Sequence, residues 1–95
     1  MKHGERRKAQ ILDTGLQLWR NTHAIPTARS IAKALGMTHT SILYHFKTSE
    51  ALKHAVAVHA INQRDQVIVP MLIATRNPAA AMLTEAEKSA FLNLI

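Results

Sequence analysis

Residues 31–52 read IAKALGMTHTSILYHFKTSEAL. Two short helical patterns flank a single glycine, Gly36. The first places Ile31, Ala32 and Leu35 on one side. Apolar residues spaced three and four apart make the buried stripe of an amphipathic helix. The second carries Thr, Ser, His and Tyr where a core-building helix would carry Leu and Ala. Only Ile42 and Phe46, four apart, are placed to anchor it. Thr38, His39, Thr40, Ser41, Tyr44 and His45 all carry hydrogen-bonding atoms. Such a helix is suited to presenting side chains outward rather than to filling a core.

Local signals set the boundaries. Thr27 is an N-cap candidate for a helix over 28–35. Gly36 stands where a left-handed residue closes that helix, a conformation glycine adopts without a Cβ penalty. Met37 follows as an apolar plug, and Thr38 is the cap candidate for a helix over about 39–46. Upstream, residues 5–21 form an amphipathic pattern with Leu12, Gly15, Leu16 and Trp19 on one stripe, widened by Ile11 and Leu18. Pro26 disfavours helix at Ile25, so this element ends near 21–23. Trp19, Ile42 and Phe46 are expected in the core.

Downstream, Thr48 or Ser49 caps a fourth helix with Leu52, Ala55 and Val56 on one face. It is expected to run to about Val69, where Pro70 stops or kinks it. Asn77-Pro78 and the capping-box pattern Thr84-Glu85-Ala86-Glu87 open two further elements. VIVPMLI is β-branched, but Pro70 breaks it and no second strand is available to pair with it. The fold class is therefore all-α: a helix-turn-helix with a homeodomain-like three-helix core, a long fourth helix and short C-terminal helices.

Charge divides the chain. Residues 1–53 hold nine Lys/Arg against three acids, and residues 54–95 hold three against three, so the whole excess of +6 lies in the first part. Such asymmetry points to a polyanion-binding domain over 1–53 and a helical extension over 54–95 with another task. The plainer reading is a solubilising surface. The absence of cysteine excludes disulfides, thiolate metal sites and cysteine nucleophiles, and is compatible with a reducing compartment. The first ten residues are charged with no apolar run behind them, and VIVPMLIA is too short to span a bilayer. No signal peptide or membrane anchor is expected. Asp13, Glu50, Asp65, Glu85 and Glu87 lack catalytic spacing, and the three glycines are isolated, so neither an enzyme nor a phosphate loop is expected. His54 and His59 are five apart, off the one-face spacing of a helical metal site, so no metal or cofactor is expected.

ILDTGLQLW, TARSIAKALGM, SILYHF and KTSEAL occur in that order between about Arg7 and Leu52, covering about half of the chain. This run resembles the DNA-binding domain of the tetracycline-repressor (TetR) family. Leu43 stands where that family usually has Tyr, and Tyr44 comes one place later. The resemblance implies a regulator that binds double-stranded DNA. It also implies base contact by Arg29, which matches a second-helix arginine able to bond guanine O6 and N7 together. Family members usually continue into a long ligand-binding domain. This chain stops at Ile95, so small-molecule induction is not expected.

In a helix-turn-helix the N-terminal part of the second helix enters the major groove. Thr38, His39, Thr40 and Ser41 are therefore candidate base readers, with Thr38 equally a pure cap. Tyr44, His45, Lys47, Thr48 and Ser49 are candidate phosphate contacts, the last two through free amides at the fourth helix's start. Lys2, Arg6, Arg7 and Lys8 form either a basic arm tracking phosphates or a solvated terminus. One recognition helix reads few base pairs, so a homodimer on an inverted repeat is expected, joined through residues 56–95. Val58, Ile61, Val67 and Ile68, with Phe91, Leu92, Leu94 and Ile95, are the apolar candidates for that contact. The expectation is a small repressor, cytoplasmic, of bacterial, phage or plasmid origin. The alternative is a structural DNA-binding subunit, such as a small packaging or recognition component that oligomerises.

Overall fold

The computed structural model describes residues 3–93. It is all-α, and no strand occurs among the described residues. The order is α1 (His3–Thr22), α2 (Ala28–Leu35), α3 (His39–Phe46), α4 (Ser49–Asn62), α5 (Ile68–Ala74), a 3₁₀ turn (Pro78–Met82) and α6 (Glu85–Leu92). Two compact units arise, Met1–Val56 and Ala57–Ile95. Their boundary falls inside α4, whereas charge suggested residue 53. No described helix is long and apolar enough to cross a membrane.

In the first unit α2 packs on both α1 and α3. Ile11, Leu16 and Trp19 of α1, Ala28, Ile31 and Ala32 of α2, Ile42 of α3, and Leu52 and Val56 of α4 are buried. Phe46, expected in the core, is half-buried. Gly15 lets α1 pack tightly against Ile31 of α2 and Val56 of α4. A Cβ there would lie 3.0 Å from Val56 Cγ2 and 3.1 Å from Ile31 Cδ1.

The turn between α2 and α3 is built from local hydrogen bonds. Thr27 and Ser30 form a reciprocal capping box: Ser30 N donates to Thr27 Oγ1 at 3.0 Å and Thr27 N to Ser30 Oγ at 2.9 Å. Gly36, at φ 67°, closes α2. Met37 N donates to Ala32 O and Gly36 N to Lys33 O, the two bonds of a Schellman motif. Nothing lies within 4 Å of a Cβ added at Gly36, so only backbone conformation opposes substitution. Gly36→Ala is expected to lower unfolding free energy by about 1 kcal/mol, the left-handed penalty, measured as a shifted urea midpoint at unchanged slope.

α4 does not reach Val69. It ends at Asn62, because Arg64 enters the left-handed region at φ 53°. Asp65 N bonds to Ala60 O and Arg64 N to Ile61 O, completing another Schellman closure. The buried Asp65 then turns the chain into α5, its Oδ1 accepting from Val67 N at 2.9 Å and Ile68 N at 2.8 Å. Pro70 does not break a helix here. It occupies the third position of α5, where its missing N–H has no intrahelical partner to lose.

Ile61, Ile68, Val69, Leu72, Ala79, Ala80 and Leu83 are buried in the second unit. Ile61 and Ile68 are therefore not available as a dimer face. Val67 and Leu92 are exposed, Val58 and Phe91 half-buried, and Leu94, Ile95 and Lys2 lie outside the described residues. α6 begins with the expected capping box, in which Glu87 N donates to Thr84 Oγ1 and Thr84 N to Glu87 Oε1. Glu87 Oε2 also meets Arg64 Nη1 at 3.1 Å. The Thr84 backbone N–H, helped by the Thr84 hydroxyl and the Arg64 charge, holds the Glu87 carboxyl below its ordinary 4.5. A lowered folded value stabilises above the ordinary value and ceases to do so as pH falls through the folded one. Glu87→Gln, which can still accept from Thr84 N, should thus be less stable than the parent at pH 7. That difference should shrink progressively in denaturation series taken to pH values below the ordinary carboxylate range, as the lowered folded value is passed.

Candidate nucleic-acid interface

α3 is the element that presents chemistry. Its cap Thr38 accepts from Ser41 N at 3.1 Å, and the Thr38 and Ser41 hydroxyls share a further bond of 2.8 Å. The two side chains form one unit, so neither hydroxyl is wholly free to read a base. His39, half-buried, and Thr40, exposed, make no side-chain hydrogen bond to any described residue. Tyr44 is 82 % exposed, with its ring edge-on to His45 at a centroid distance of 5.4 Å. Ile42, fully buried, holds the opposite side of the helix.

An open groove of about 440 Å³ runs along this face, lined by Arg7, Met37, Thr40, Ser41, Tyr44 and His45. Arg7 reaches it from α1. Its Nη1 donates to Gln10 Oε1 at 2.9 Å and lies 3.8 Å from Met37 Sδ. Arg6, Arg7 and Lys8, read from sequence as a basic arm or a solvated terminus, lie within the helix expected over 5–21. They are exposed residues of α1, which begins at His3 with Glu5 in its first turn to complement the dipole. The sequence reading missed the roles of Gln10 and Met37. The Arg7–Gln10 spacing of one helical turn carried a signal for the first. Nothing local carried the Arg7–Met37 contact, which joins residues far apart in sequence.

Arg29 is exposed on the first turn of α2 and has no hydrogen bond or ion pair among the described residues. Lys47 is exposed at φ 69°, ψ −49°, with Thr48 N bonded to Phe46 O at 2.8 Å. That is a γ-turn, an uncommon and strained way to end a helix. It delivers Thr48 as the cap of α4, where Oγ1 accepts from Ala51 N at 3.0 Å. The start of α4 is thus partly satisfied from within, and the amides of Ser49 and Glu50 are those that remain for an anion. Glu50 opposes that use, although Lys53 lies 3.8 Å from its carboxylate.

Residues 14–49 contain no acid and four cations, Arg20, Arg29, Lys33 and Lys47. The field over α2, the turn and α3 is therefore positive, the condition for attracting a polyanion. No group of three or more His, Asp or Glu side chains among the described residues is arranged to hold a metal ion. No protein-family model matches the chain, nor does any curated protein or solved structure.

Proposed function

We propose that the chain is a sequence-specific regulator of transcription, a small repressor that binds double-stranded DNA as a homodimer. α3 enters the major groove, with His39, Thr40 and the Thr38–Ser41 pair toward base edges and Arg29 beside them. Arg6, Arg7, Lys8, Tyr44, His45 and Lys47, with the Ser49 amide, meet the backbone. The protein acts in the cytoplasm by occupying DNA, without catalysis or cofactor. One observation carries this reading. The helix after the Gly36 turn keeps its apolar anchor inward and displays an acid-free polar face around Tyr44.

Phosphate contacts release counterions, so affinity falls linearly on a log–log salt plot with a slope of about −0.9 per contact. Fluorescence anisotropy of a labelled duplex across salt concentrations tests the assignment. Lys47→Ala is expected to reduce the slope by about 1 and to weaken all duplexes alike. An unchanged slope would remove Lys47 from the interface. Salt-insensitive binding of the parent would remove DNA.

A further inference from the structure

The second unit contains an open-sided pocket of about 260 Å³ where α5 passes through the 3₁₀ turn toward α6. Ile73, Pro78, Ala80 and Ala81 supply its apolar lining, and Arg76 and Lys88 its charge. The space exists because the 3₁₀ turn is PAAAM, whose alanines end at Cβ. Asn77 also borders it, but its Oδ1 is already taken by Ala79 N at 2.9 Å.

Arg76 is the informative residue. It closes α5 in the left-handed conformation, φ 55°, with Asn77 N bonded to Leu72 O and Arg76 N to Ile73 O. Glycine performs that closure with less strain, so the backbone gives no reason for arginine. Arg64 shares the conformation, but its side chain has Glu87 as partner at 3.1 Å. Arg76 is exposed and has no ion pair among the described residues. Lys88 pairs with Glu85 at 3.4 Å, yet the Glu85 side chain is 92 % exposed, so water screens the pair and a competing anion can displace it.

We infer that this pocket binds a small amphipathic carboxylate. Its apolar body lies against Ile73, Pro78, Ala80 and Ala81, and its carboxylate is held by the Arg76 guanidinium and the Lys88 ammonium. The arginine fork matches a carboxylate with two parallel bonds. A cavity of about 150 Å³ accommodates benzene, so this volume suits an acid of on the order of ten non-hydrogen atoms. The inference uses no residue of α3 and stands apart from DNA binding.

Titrating the full chain with sodium hexanoate, followed by amide ¹H–¹⁵N shifts, tests it. Saturable shifts confined to residues 73–88 are expected, with Kd of about 1 mM or tighter. 1-Hexanol and hexylamine should bind at least about tenfold more weakly. Arg76→Gly keeps the helix closure while deleting the cation, so it should remain folded and lose about tenfold in hexanoate affinity. Lys88→Gln should lose a similar factor. Hexanol matching hexanoate, unchanged binding by folded Arg76→Gly, shifts spread over the basic first unit, or none up to about 10 mM would each overturn the inference.

Discussion

Replacing His39, Thr40 and Tyr44 together by alanine is expected to weaken binding to a preferred duplex by about 10³-fold, while helicity and melting temperature stay unchanged. The two halves of this expectation have separate grounds. On the DNA side, a well-placed side chain discriminates a base by about 1–3 kcal/mol, and specific sites exceed random DNA by 10³-fold or more. On the protein side, none of the three hydroxyl or imidazole groups bonds to a described residue, and Tyr44 is 82 % exposed. Alanine is also the best helix former, so α3 loses nothing in propensity. Anisotropy titrations and circular dichroism on the same preparation check both. Unaltered selectivity in a folded variant would remove α3 from the interface.

Ile42→Ala is expected to do the reverse, destabilising the first unit by about 2–5 kcal/mol, because a fully buried isoleucine leaves both lost transfer energy and a cavity. Ile42 is 0 % exposed and is the buried residue of α3. A domain of this size has a total stability of about 5–15 kcal/mol, so the loss is a large fraction of it. Thermal denaturation should move down by about 10 °C or more. DNA affinity per folded molecule, measured well below the transition, should change little. A parent-like melting curve would show that α3 is held by something other than this side chain.

The contrast between these variants rests on features that residues 27–46 announce. Thr27, Gly36 and Thr38 are residues whose local chemistry stops and starts helices, and the structure uses them so. The end of α4 was hidden for the complementary reason. The left-handed residue there is Arg64, not glycine, and Pro70 drew the boundary too far along. Asp65 could be seen as an acid but not as the buried carboxylate that accepts from Val67 N and Ile68 N, which depends on where the chain turns. The candidate interface was readable as a polar helix with a basic surround. Its groove was not, because Arg7 and Met37 meet only through the packing of α1 beside the turn. That Thr38 and Ser41 spend hydroxyls on one another is equally a matter of geometry.

Selection from a randomised duplex library at about 150 mM salt, with the parent beside an Arg29→Ala, His39→Ala variant, probes the major-groove assignment most directly. An enriched inverted repeat that the variant no longer selects is the expected result. Enrichment of no sequence, with binding to every duplex fading alike as salt rises, would contradict it.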